Sequence, residues 1–132
     1  MKNNNRLQDL CVLYLEDEAL IAFDTSQLLE EMGFGEVSCA YRLCDAEAAA
    51  AKQHFDLAIF DINVDGGQTS VALGEDLAAK GTKVIFASGS TKQAAKMAKK
   101  GYPNLGKPFS SELLEHAIAA ALRGHAEFLN DG

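Results

Sequence analysis

Val12-Leu13-Tyr14-Leu15-Glu16-Asp17-Glu18 passes from four consecutive apolar residues to three consecutive carboxylates with nothing between them. A short, continuously apolar run without period-two alternation suits a strand buried on both faces, as in the middle of a parallel sheet. Acids directly after it suit the start of a helix, where the backbone dipole favours negative charge. Strand, acidic turn and helix together make the first unit of a β–α chain. The unit recurs. Residues 57–60 are again apolar, 83–87 are apolar after Lys83, Glu36–Ala40 alternates as an edge strand should, and Asn104–Gly106 is a weaker run.

Helical spacing fills the intervals. The first helix is expected over Ala19–Met32, closed by Gly33 as its C-cap. Asp45 is placed to cap a helix over 46–53, and residues 72–80 run into Gly81. Ser90 and Gln93 have the spacing of a capping box for a helix ending near residues 100–101. The last helix is expected over 111–125. Five strands alternating with five helices predict an α/β protein with a flavodoxin-like, doubly wound (βα)5 fold. Its five-stranded parallel sheet has order 2-1-3-4-5, with a ligand site where that order switches.

The 132 residues suit one domain, read as a polar N-terminal extension at 1–8, a folded unit at 9–126 and a tail at 127–132, with no output domain. Hydrophobic (48%) and charged (23%) fractions are those of an ordinary globular chain. Apolar runs are too short to span a bilayer, and the polar start lacks the features of a signal peptide, so a cytoplasmic location is expected. A net charge of −7 opposes autonomous nucleic-acid binding. Lys92, Lys96, Lys99 and Lys100 form a local basic cluster, which as a helix face needs only solvent. Cys11, Cys39 and Cys44 lack metal-ligand spacing and read as small, partly buried hydrophobes.

The carboxyl ends of the expected strands carry the chemistry. Glu16, Asp17 and Glu18 follow the first, Asp61 ends the third, Ser88 ends the fourth and Lys107 follows the fifth. Each has a plain structural reading: helix N-terminal acids, a turn aspartate, a capping serine, a solvated lysine. Together they place carboxylates, a hydroxyl and an ammonium on one sheet edge. Clustered carboxylates raise one another's proton affinity unless a cation intervenes, and Mg²⁺ prefers such oxygen donors. Glu16, Asp17 and Asp61, with the Asn63 backbone carbonyl, are the expected metal ligands, Mn²⁺ being able to substitute. A carboxylate so placed can act as nucleophile toward a phosphoryl donor. Lys107 would neutralise the transferred oxygens and Ser88 hydrogen-bond one of them.

At this point the chain resembles a response-regulator receiver domain of bacterial two-component signalling. The matching pieces are V-L-Y-L-E-D-E at 12–18, D-L-A-I-F-D-I-N at 56–63, V-I-F-A-S-G at 84–89 and G-K-P-F at 106–109, across roughly residues 8–126. The resemblance implies that Asp61 is the phosphoacceptor and that Glu16 and Asp17 are the acidic metal pair. It further implies that Ser88 is the switch hydroxyl, that Lys107 bridges to the phosphoryl group, and that the Lys107–Pro108 peptide is cis. Most such domains carry an aromatic three residues before the lysine. Here that residue is Asn104, the nearest aromatic being Tyr102, and F-A-S-G-S at 86–90 resembles the F-A-T-G subfamily, often single-domain. Ordering of the segment from Ser88 to about Lys100 is then the expected readout, and the Asp65-Gly66-Gly67-Gln68 stretch is expected to be mobile without metal.

The expected function is phosphoryl acceptance from a histidine kinase or phosphotransfer protein, docking near Leu20 and Phe23. Output would pass through contacts with a downstream protein, or the domain would act as a phosphoryl sink, as a monomer or weak dimer and not as a conventional enzyme. Ile21, Leu28 and Met32 are the expected core face of the first helix, and a wide buried face is the alternative for Leu20 and Phe23. Alternatives for the whole chain are a phospho-independent adaptor and an aspartyl-nucleophile phosphatase. A flavodoxin-type cofactor binder fits poorly, because the first loop is acidic where a phosphate cradle needs N–H donors.

Overall fold

In the computed structural model, which describes residues 6–124, the apolar runs become neighbouring parallel strands. The strands are β1 (Cys11–Leu15), β2 (Glu36–Ala40), β3 (Leu57–Asp61), β4 (Asn63–Val64), β5 (Gln68–Thr69), β6 (Lys83–Ser88) and β7 (Asn104–Gly106). The main sheet has order β2-β1-β3-β6-β7, every pairing parallel. With the small β4–β5 hairpin set aside, this is the expected 2-1-3-4-5. Helices α1 (Ala19–Met32), α2 (Leu43–Lys52), α3 (Val71–Ala79), α4 (Thr91–Lys99) and α5 (Ser111–Ala121) join the strands.

The sheet divides the core in two. Val12, Tyr14, Ile59 and Ile85 face one way, with Leu29 of α1 and Leu114 of α5. Leu13, Leu15, Phe60 and Phe86 face the other, with Leu77 of α3 and Met97 of α4. All five residues of β3 are buried, whereas β2 buries only Ala40, as an edge strand should. Full burial of each large side chain contributes about 1.5–3 kcal/mol. Two buried hydroxyls, those of Tyr14 and Ser26, have no hydrogen-bond partner among the described residues. Burial pushes the Tyr14 phenol well above its ordinary pKa, with the neighbouring Thr25 side chain acting in the opposite direction. An unpaired buried hydroxyl costs about 1–3 kcal/mol. Tyr14→Phe is therefore expected to leave the melting temperature unchanged or raise it by a few degrees in thermal denaturation. A fall of several degrees would mean that the hydroxyl has a partner after all.

Several local expectations are corrected. The fully buried line of α1 is Ala22, Thr25 and Leu29; Leu28 and Met32, half-buried, do pack against the core as expected, and Ile21 is half-buried beside them. Two small residues let the helix lie close to the sheet, and a reading weighted by hydrophobicity overlooks them. The helix does end at Gly33, at φ 107. Helix α2 starts at Leu43, not 46, and Asp45 lies inside its first turn. The Leu43 N–H donates instead to Asp65 Oδ2 at 2.9 Å, so a distant loop supplies the cap. Strands β3 and β6 end at Asp61 and Ser88, the residues expected to close them. Helix α5 stops at Ala121 and continues as a 3₁₀ turn over Leu122–Gly124; His125, most of the extension at 1–8 and the tail at 127–132 lie outside the described residues. A 3₁₀ turn at Arg6–Asp9 leads into β1.

Register sets the functional edge. Leu15 pairs with Phe60, Asp61 with Ala87, and Ser88 with Gly106. Glu16, Asp61, Ser88 and Lys107 therefore emerge side by side.

Candidate functional site

Glu16 leaves β1 directly after its last apolar residue and is buried, as is Asp61. Asp17 stands beside them on the exposed side, and carboxylate oxygens of Glu16, Asp17 and Asp61 lie within 4.8 Å of one another. Lys107 Nζ donates to Glu16 Oε1 at 2.8 Å and to Asp61 Oδ2 at 2.9 Å. The other Glu16 oxygen accepts the Glu18 N–H at 3.0 Å. Lys107 precedes Pro108 through the expected cis peptide.

The electrostatics are unbalanced. Burial pushes the Asp61 carboxyl above its ordinary pKa, outweighing the hydrogen bond and charge of Lys107, while Glu16 and Asp17 add repulsion. Burial alone would lower the Lys107 pKa, but its bonds to Glu16 and Asp61 reverse that and raise it. Three carboxylates facing one ammonium leave about two net negative charges around an all-oxygen donor set. That donor set fits a hard divalent cation such as Mg²⁺.

Two residues that sequence reasoning did not assign to the site join it. Asp65 sits at φ 54 in the turn between β4 and β5, its N–H donating to Asp17 Oδ2 at 3.2 Å while its carboxylate caps α2. An Asp-Gly step with a second glycine is a hairpin signal, and it was available in the sequence. Antiparallel pairing of Asn63 with Thr69 and Val64 with Gln68 makes this segment a short hairpin. The second residue is Gln93. Ser90 Oγ does accept the Gln93 N–H at 3.3 Å, half of a capping box. The other half fails, because the Ser90 N–H goes to Ser88 Oγ at 2.9 Å. The Gln93 side chain instead meets Ser88 and Asn63.

The remaining candidates fall as follows. Asn63 pairs within the hairpin and its side chain meets Gln93. Tyr102 packs edge-on against Phe86, centroids 5.0 Å apart, on the α3 side of the sheet. Lys92, Lys96, Lys99 and Lys100 are solvated, with Lys100 pairing Glu75 at 2.9 Å. Leu20 and Phe23 are 82% and 59% exposed, so they are not part of a wide buried face.

A parallel sheet of order 2-1-3-4-5 with an acidic, lysine-bridged pocket at the carboxyl ends of its strands defines a class of signalling domain. Residues 12–119 match the family model described as the response regulator receiver domain, and the chain belongs to that family. Among solved structures, SdrG from Sphingomonas melonis Fr1 is 32% identical, with a TM-score of 0.73 over 86% of this chain and 96% of that one. A response regulator receiver domain protein from Clostridium thermocellum is 22% identical, with a TM-score of 0.76 over 89% and 97%. The PhyR stress response regulator is 27% identical at a TM-score of 0.73 over 88% of this chain, which spans 46% of PhyR. No curated protein sequence matches. Among the described residues no helix is long and apolar enough to cross a membrane.

Proposed function

We propose that Asp61 accepts a phosphoryl group from a phosphohistidine on a histidine kinase or phosphotransfer protein. Lys107 engages Asp61 through Oδ2, which leaves Oδ1 as the attacking oxygen. An O–P bond forms at Asp61 as the donor's N–P bond breaks, and the departing imidazole keeps the electron pair. Mg²⁺ bound by Glu16, Asp17, Asp61 and the Asn63 carbonyl would neutralise charge on the transferring oxygens. Lys107, an ammonium hydrogen-bonded to Asp61, would add positive charge to the same oxygens. Ser88 supplies a hydroxyl that can donate to a phosphoryl oxygen.

The observation that carries this reading is the convergence of Asp61 with Lys107, Glu16 and Asp17 from three different strand ends. Acetyl phosphate with Mg²⁺ is expected to add one base-labile phosphoryl group to the intact protein, mapped to Asp61, by mass spectrometry. Persistent failure to label would leave a phospho-independent adaptor as the better reading. We read the domain as a stand-alone cytoplasmic relay, signalling through protein contacts or draining phosphoryl groups.

Leu20 and Phe23 lie exposed in the first turns of α1, the helix that follows the acidic turn Glu16–Glu18, and their exposure suits a docking helix from the phosphodonor protein. Truncating a central aromatic at such an interface costs upwards of about 1 kcal/mol. Phe23→Ala should therefore slow transfer from the cognate donor protein by about fivefold or more while leaving labelling by acetyl phosphate unchanged. Equal slowing with both donors would point to a damaged site in place of a lost contact.

A further inference from the structure

The Ser88 hydroxyl has one proton to give, and it is already given away from the phosphoryl position. Ser88 Oγ donates to Gln93 Oε1 at 2.9 Å, with the Ser90 carbonyl a weaker alternative at 3.4 Å. The same Oγ accepts the Ser90 N–H, which bends the start of α4 around it. Gln93 Oε1 also accepts from Asn63 Nδ2 at 3.0 Å, and Gln93 Nε2 returns a longer bond to Asn63 Oδ1 at 3.4 Å. One amide thus ties the end of β6, the first turn of α4 and the start of the β4–β5 hairpin into a single network. It lies beside the carboxylate pocket and touches none of the three acids.

We propose that Gln93 is a positioning residue that holds the Ser88 hydroxyl in its unphosphorylated orientation, and that phosphorylation of Asp61 breaks this hold. This rests on the reading of Asp61 as phosphoacceptor. A phosphoryl oxygen and Gln93 Oε1 compete for one proton, and the charged oxygen is the stronger acceptor. Once Ser88 turns to the phosphoryl group, Gln93 loses a donor and its pairing with Asn63 is weakened. Gln93 lies in the first turn of α4 and Asn63 in the hairpin, so both segments are released together. A domain with Asn104 in place of an aromatic then has a polar element that couples site to surface. The coupling is a two-state competition for a hydrogen bond, and both Ser88 and α4 bias it.

The test uses the full chain and acetyl phosphate with Mg²⁺. In wild type the side-chain amide NMR signals of Gln93 and Asn63 are expected to shift on labelling of Asp61. Gln93→Leu removes the acceptor and is expected to label about threefold to tenfold faster, as the loss of one opposing hydrogen bond predicts. Its unlabelled form should already show the Ser88–Ser90 amide shifts of the labelled wild type. Gln93→Glu keeps an acceptor for both Ser88 and Asn63 and is expected to label no faster than wild type. Labelling of Asp61 with silent Gln93 and Asn63 signals, or equal acceleration in both variants, would overturn the hold and leave the phosphoacceptor reading intact. Absence of label on Asp61 in wild type would overturn both.

Discussion

Asp61→Asn is expected to abolish labelling by acetyl phosphate and, without metal, to raise the melting temperature. Loss of label follows from chemistry, because an amide oxygen is not the nucleophile that a carboxylate is. The stability gain follows from linkage. Burial raises the Asp61 pKa despite the Lys107 hydrogen bond. A carboxyl whose folded pKa lies above its unfolded value of about 3.9 stabilises the fold fully below that value. That contribution is lost as pH rises through the folded pKa, so at neutral pH ionised Asp61 weighs against folding. Asn keeps an oxygen for Lys107 and carries no charge. The advantage of the variant should be small near pH 4 and larger at pH 7. Mg²⁺ should shrink it, since a ligand that binds only the folded state stabilises by RT ln(1 + [L]/Kd), about 2.7 kcal/mol at a hundredfold excess over Kd. Thermal denaturation at both pH values, with and without Mg²⁺, measures all of this. A variant that is less stable than wild type at pH 7 without metal would show that the Lys107 ion pair outweighs the burial of charge.

The same pocket shows what the sequence could and could not convey. Strands β1, β3 and β6 were legible because burial on both faces demands unbroken apolar runs, and those runs also set the strand ends. Once the ends were placed, Glu16, Asp17, Asp61, Ser88 and Lys107 followed, since residues at strand termini share one edge whatever the loops do. Loop-borne contacts were not legible in this way. Asp65 caps α2 from 22 residues away, and nothing local to Asp45 reveals that its turn already has a donor satisfied elsewhere. Gln93 illustrates a sharper failure. Its spacing from Ser90 is that of a capping box, and the backbone half of that box forms. Its side chain is diverted because Ser88, two residues before the cap, reaches the Ser90 N–H first. Local spacing predicts which partners are within reach, while tertiary neighbours decide among them.

Gly74→Ala tests how tightly the far side of the sheet supports this edge. In α3 most added methyl groups would help, as alanine is favoured over glycine by about 1 kcal/mol in a helix. At position 74 a Cβ would fall 2.7 Å from Phe86 Cε1 and closer still to Cζ. The ring has little room to yield, because its other side meets Tyr102 edge-on with centroids 5.0 Å apart. Overpacking of this kind costs about 1–3 kcal/mol, which exceeds the helical gain. The variant is expected to melt several degrees lower, with an unchanged urea m-value marking a loss of stability without loss of compactness. Phe86→Leu removes the ring that the methyl strikes, so the double variant should be less destabilised than the sum of the two single ones, a coupling that a double-mutant cycle reads directly. Phe86 lies two residues before Ser88 on β6, so displacing its ring should also shift the Ser88–Ser90 amides in NMR spectra. Additive single effects with an undisturbed Ser88 would mean that α3 simply moves away from the sheet, and that the close approach at Gly74 does not support the site.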